Sequence, residues 1–419
     1  MQRTSGDLVG QILAALGARR LFGEPLERLD LDFIDAPPDL AVALADCAGR
    51  ISGYGVASLG DQFLHISSRP GGTANPMRCE SLAEFAAAME PLRVATALET
   101  VAVQLDFDLA APAEESSIAA FGASRAVVVT LDPALADLNI VAVVGPGATR
   151  VIGENVVAAL ARNGSIPVLN SFGAKGVVRW DSPFHMGTAG LQAGDAVLAG
   201  LGEADIVITC GLDVDEFGPA DLGNDMVVDV APAQLTALLA NWPRRSVDDD
   251  APSGLFGAIS GVVRPLYEST DDTLSAARAA LHLSGAAPED GVVVADAGVA
   301  GFWIGRTFPT GVMGSVLLPS RSMPGFAVGT AMLAGLDGRA AIAVVDEIDE
   351  DSAALLDLAG SIGAPVAVQR WVEGTSSADA HVAATLDDFA GASGVRDVAV
   401  DTSALHSLID VAGPVTAWI

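Results

Sequence analysis

The stretch NIVAVVGPGATRVIGENVVAALARNG (139–164) carries the reading of the fold. Its apolar run at 140–144 is continuous rather than alternating, and it ends at Gly145-Pro146-Gly147 before a stretch of helical period. A short apolar run of this kind marks a strand buried on both faces, as in a parallel sheet covered by helices. The unit recurs as DIVITCG (205–211), MVVDVAP (226–232), GVVVADAG (291–298) and AAIAVVDEID (340–349), the last followed by SAALLDLAGSIGAPVAV (352–368). Strands alternating with helices predict an α/β protein of doubly wound domains with mainly parallel sheets. In such sheets ligands sit outside the carboxyl ends of the strands, so the residues just after each run are the ones to inspect.

The 419 residues suffice for two or three domains. Hydrophobic residues make up 51% and charged residues 18%, which allows a large buried core and argues against disorder. With 22 basic and 53 acidic residues the net charge is −31, and Lys175 is the single lysine. That field repels phosphate backbones and anionic lipid, so nucleic-acid and membrane-surface roles are disfavoured. The plain alternative is a solvated acidic surface. Cys47, Cys79 and Cys210 are too widely spaced for a zinc site or a disulfide framework and fit a reducing compartment. The opening MQRTSGDLVGQ lacks a signal-peptide core, and no apolar run reaches the roughly 18 residues of a spanning helix. A soluble, cytoplasmic protein is expected.

Two passages read as boundaries: DLAAPAEESS (108–117), and NWPRRSVDDDAPSG (241–254) with its Pro, Gly and charge run. They divide the chain into 1–115, 116–245 and 250–419. At Gly145-Pro146-Gly147 two readings stay open. Glycines let a backbone approach a phosphate at a helix start. They also simply permit a tight strand-to-helix turn, and neither GxGxxG nor GK[ST] spacing is present.

NSFGAKGVVRWDSPFHMGTAG (170–190) presents, in order, Gly173, Lys175 and Gly176, then Asp181 and Pro183, then Gly187 and Gly190. ADIVITCGLDVDEF (204–217) follows. This order resembles the central domain of thiamine-diphosphate (ThDP) enzymes related to acetolactate synthase. The resemblance implies three consecutive α/β domains, of which the central one is mainly structural and in some members binds FAD or another adenine nucleotide. It also implies a homodimer or homotetramer, or pairing with a complementary subunit, and a small-molecule substrate such as a 2-oxo acid.

In that family the last domain holds the ThDP diphosphate through Mg²⁺, which takes hard oxygen ligands. Aligned on GAPV (363–366), the metal-binding Gly-Asp-Gly falls on Val345-Asp346-Glu347, and the second ligand falls on Glu373. Asp346 and Glu373 are therefore the implied metal pair, against an alternative in which the acidic run 346–351 only suits a helix N-terminus. VVVADAGVAGFW (292–303) resembles the first phosphate loop, with Asp296 and Gly298 matching but the apolar Val299 and Ala300 at its polar anchor positions. SRSMPGFAVGTAMLAG (320–335) resembles the helix start that holds the bent cofactor, through Met323, Gly325 and Gly329.

At the other end, GDLVGQILAALGARRLFGEPLERL (6–29) resembles the family's opening helix and its Phe-Gly-x-Pro turn at Phe22, Gly23 and Pro25. HISSRPGGTANP (65–76) resembles a cofactor-facing loop, with Ser68, Gly71 and Asn75 among the matching residues. ThDP chemistry needs a carboxyl against the aminopyrimidine. The family places that glutamate eight residues before the aspartate matching Asp46, where this chain has Pro38. Neighbouring Asp39 is the candidate substitute, or else a helix cap.

Three functions follow: a ThDP- and Mg²⁺-dependent carbon–carbon lyase or transferase, a catalytically degenerate relative that serves as a binding or partner subunit, or a nucleotide-binding module built on the central domain.

Overall fold

The computed structural model describes residues 3–26, 28–69, 71–72, 74–118, 121, 138–150, 155–162, 166–242 and 254–418. The chain forms two compact units, Met1–Ala126 with Arg150–Gly153, and Val127–Thr149 with Glu154–Ile419. Each is α/β, and together they hold three sheets. No helix among the described residues is long and apolar enough to cross a membrane.

The first unit opens on the helix Ser5–Ala15, capped by Thr4 and Asp7. The Asp7 N–H donates to Thr4 Oγ1, and the Thr4 N–H donates back to Asp7 Oδ2 at 2.7 Å. Leu8, Ile12 and Leu13 recur on one helix face and are fully buried beside Phe85 and Met89. The sheet has six strands: β1 (Arg20–Gly23), β2 (Asp32–Asp35), β3 (Gly55–Ser58), β4 (Phe63–Ser67), β5 (Pro76–Cys79) and β6 (Thr100–Leu105). Their order is β2-β1-β3-β4-β6-β5. The sheet is mainly parallel, with β4 running antiparallel to both neighbours. Only residues 59–62 join β3 to β4, too few for the crossover that a parallel pair requires. The helices Pro38–Ser52 and Leu82–Val94 supply the longer crossovers that keep β1–β3 and β5–β6 parallel.

The second unit holds two wholly parallel sheets. One comprises β7 (Ile140–Val144), β8 (Val168–Ser171), β9 (His185–Ala189), β10 (Ile206–Cys210) and β11 (Val227–Asp229), ordered β11-β10-β7-β8-β9. The other comprises β12 (Val292–Ala295), β13 (Val316–Leu317), β14 (Ala341–Val345), β15 (Ala367–Glu373) and β16 (Gly394–Val400), ordered β13-β12-β14-β15-β16. The apolar runs of the sequence are these strands. All five positions of β7 are buried, as a strand covered on both faces demands.

One hydrophobic core runs through both sheets of this unit, from Leu169, Phe172 and Leu191 to Trp303 and Val344. A buried ion pair lies within it. Arg306 Nη2 reaches both carboxylate oxygens of Asp195, at 2.8 and 3.0 Å, and its Nη1 donates to the Thr188 carbonyl. Both side chains are 1% exposed. Desolvation offsets most of the attraction in such a pair, so its contribution is to specify one arrangement, while removal of one partner is costly. Of the expected boundary at 241–254, residues 243–253 lie outside the described residues.

Candidate functional site

In a doubly wound sheet the crevice for a ligand opens where the strand order reverses. In the last sheet that point lies between β12 and β14, and each strand is followed by an aspartate, Asp296 and Asp346. Asp346 lies beside the start of the nine-residue helix Val299–Thr307. Its Oδ2 accepts the Val299 N–H at 2.8 Å and its Oδ1 the Ala300 N–H at 3.0 Å. A helix start leaves such N–H groups free and carries partial positive charge, so it favours an anion. Here the anion is a side chain from the next strand. Gly298 makes the approach possible. Its φ is +133°, and a Cβ there would stand 2.3 Å from Asp346 Oδ2.

Asp296 plays the same part for a second helix. Its Oδ1 accepts the Ala327 N–H at 2.7 Å, in the first turn of the helix Phe326–Leu336. Gly325 precedes that helix in the left-handed conformation, with φ +70°. A Cβ at Gly325 would crowd Leu355. Met323 is buried and its carbonyl accepts the Phe326 N–H, closing the turn. Burial pushes the Asp296 carboxyl up to about 7, against the Ala327 hydrogen bond, with the charges of Asp349 and Asp346 adding to the rise. Burial also raises Asp346, opposed by its two backbone hydrogen bonds.

The other predicted metal ligand lies in the same unit. Glu373 is the exposed last residue of β15, in register with Val400. It stands three residues beyond Arg370, the register partner of Val345, or about 10 Å along the strand. Four candidates belong to the first unit. Asp39 is exposed in the first turn of the helix Pro38–Ser52, whose N-cap is Pro37 without a side-chain cap bond, so Asp39 is not the cap. Ser68 is buried, and its hydroxyl donates to the Glu99 carbonyl and accepts the Glu99 N–H. The Gly71 N–H donates to Asp46 Oδ2 at 2.8 Å, while Asp46 Oδ1 meets His65 Nε2 at 3.2 Å. Asn75 is exposed before β5.

Asp46 is thus a loop anchor that sequence reasoning used only as an alignment mark. An aspartate on the mainly apolar face of the helix Pro38–Ser52 was the available signal. Asp296, which by sequence matches the phosphate loop, likewise has a bonding role that only the fold shows.

The opening turn of the central-domain motif is a packing device. Glu216 accepts the Ser171 hydroxyl at 2.6 Å and the Gly173 N–H at 2.9 Å, holding the turn after β8. At the first turn of this sheet, the Gly145 N–H donates to the Cys210 carbonyl and the Gly147 N–H to the Gly211 carbonyl, both at 2.9 Å. Two N–H groups that a phosphate would use are therefore committed to the neighbouring loop. Burial pushes the Cys210 thiol up to about 12, which makes it a poor nucleophile.

A magnesium-bridged diphosphate requires oxygen ligands for the metal and free donors for the phosphates. At the Asp346 crevice the two helix-start donors are taken, and the side chains beside them, Val299 and Ala300, are apolar. Among the described residues no group of three or more His, Cys, Asp or Glu side chains is placed to hold a metal ion. The arrangement does not fit that group.

Residues 136–238 match the family described as thiamine pyrophosphate enzyme, central domain. No curated protein matches the chain. The matched stretch contains β7–β11 and the motif at 170–190, the region with the most specific resemblance. The chain therefore carries a central domain of the thiamine pyrophosphate enzyme type, spanning residues 136–238.

Proposed function

We propose that the chain is a catalytically degenerate relative of the acetolactate synthase-like ThDP enzymes, which uses the inherited fold for binding. The observation behind this reading is the carboxylate of Asp346 bonded to the N–H groups of Val299 and Ala300. In the active scheme that aspartate would face a metal and those N–H groups would face phosphate. Here the two halves of the site satisfy each other. The exposed position of Asp39 and the outlying position of Glu373 agree with this reading.

Calorimetric titration with ThDP and Mg²⁺ tests it. No heat of binding is expected from the intact chain at micromolar to submillimolar ThDP. Micromolar binding that disappears in Asp346→Ala would overturn the reading and restore a ThDP-dependent lyase or transferase acting on a 2-oxo acid.

A further inference from the structure

A cavity of about 760 Å³ lies within the second unit, away from the Asp346 crevice. Its size is that of a pocket for a small organic molecule. Trp180, Phe256, Ile259, Val263, Tyr267 and Phe308 give it a largely apolar wall.

The polar groups in that wall are nearly all satisfied from within the protein. The Tyr267 hydroxyl donates to the Thr307 carbonyl, and the Ser284 hydroxyl to the Pro309 carbonyl at 2.8 Å. His185 Nε2 meets Asn170 Oδ1 at 3.2 Å, and its ring is held neutral, with burial and then the nearby Lys175 charge lowering it to about 4. Arg306 is neutralised by Asp195.

Lys175 is the exception. It lines the cavity at 7% exposure and, among the described residues, its ammonium has neither a hydrogen bond nor an ion-pair partner. An unpaired ammonium out of water is costly and is ordinarily paired. Burial, with a smaller contribution from the Arg306 charge, lowers it to about 7.

We propose that this cavity binds a monoanionic carboxylate with an apolar body, its head paired with the Lys175 ammonium and its body against Phe256, Ile259 and Phe308. One uncompensated cation calls for one negative charge. A phosphate dianion would need a second, and the other two cations in the wall, Arg306 and Arg264, already serve Asp195 and Glu268. The inference stands on a different part of the unit from the Asp346 crevice and does not rest on the reading given to that crevice.

The test uses 2-naphthaleneacetate, with its uncharged amide as the matched control, in calorimetric titrations of the full chain. The acid should bind at least tenfold more tightly than the amide. Lys175→Met should abolish that preference while leaving the amide affinity unchanged. Lys175→Arg should retain the preference. Ser260→Trp, which fills the cavity from its wall, should weaken both ligands. Equal affinity for acid and amide, no binding of either, or an unchanged preference in Lys175→Met would overturn the proposal. So would borohydride trapping of 2-naphthaldehyde on Lys175 without any acid binding, which would point to carbonyl chemistry at a neutral amine. Lys175→Met removes an unpaired buried charge, so thermal unfolding should show a variant at least as stable as the parent.

Discussion

The second unit contains two topological switch points, one per parallel sheet, and at both the protein itself takes up backbone N–H donors, in different ways. Between β7 and β10 the closure is backbone on backbone. Gly145 and Gly211 lie so close that a Cβ on Gly145 would stand 2.3 Å from the Gly211 carbonyl, and one on Gly211 2.1 Å from the Ala148 nitrogen. Between β12 and β14 the closure is made by side chains, with Asp346 and Asp296 each bonded to the start of a helix. The first closure is steric and has no charge. The second is electrostatic, each half of it can be removed by one substitution, and it titrates. A shared topology thus offers a crevice, but the residues at the strand ends decide whether anything outside the chain can enter it.

The largest effect should come from breaking the steric closure. Gly211 has φ +63°, and Gly211→Ala adds both backbone strain and a clash with main chain. Denaturant unfolding should show a loss of about 3 kcal/mol or more. A loss under about 1 kcal/mol would mean that the loop carrying Ala148 yields easily and that the contrast drawn between the two crevices is wrong.

Removing the electrostatic closure should cost less. Asp346→Ala leaves the Val299 and Ala300 N–H groups without their acceptor, which should lower stability by about 1–3 kcal/mol. Asp346→Asn keeps one acceptor oxygen and should lose less. In the alanine variant sulfate should raise the unfolding midpoint more than in the parent, because the helix start then lacks its internal anion. Identical sulfate responses would show that the carboxylate is not occupying an anion position.

The smallest effect should appear in the pH profile. Asp296 has an ordinary value of 3.8 that the fold raises to about 7, with burial as the main cause. Between about pH 4 and 7 the folded chain binds the extra proton, so this group's contribution to stability falls as pH rises through that window. Asp296→Asn keeps an oxygen for the Ala327 N–H and removes the titration. The variant should match the parent near pH 4 and exceed it by about 1 kcal/mol at pH 8, a fraction of the shift after solvent screening. Parallel profiles for the two proteins would place the strain elsewhere.

Much of this architecture was legible because its signals are local. The runs ending at Val144, Cys210, Ala295 and Val345 are strands, and Gly298 and Gly325 stand at helix starts where their backbone conformation is needed. The direction of β4 was also within reach, since four connecting residues cannot cross a sheet. The role of Asp346 was not. Its identity matched a metal-binding aspartate, but its bonding partners lie 46 and 47 positions away in the chain. Asp39 likewise looked like a cap until the helix was seen to begin at Pro38.

What the sequence by itself determined is the succession of strands, turns and helices and the kinship of the central domain. Periodicity, glycine placement and turn chemistry act over a few residues and can be read in one dimension. Only the tertiary structure decided that Asp346 fills the helix start it faces, that Asp46 anchors a loop, and that Lys175 in its cavity lacks a counter-charge among the described residues. Those are properties of distance and desolvation, and neither exists until the chain has folded.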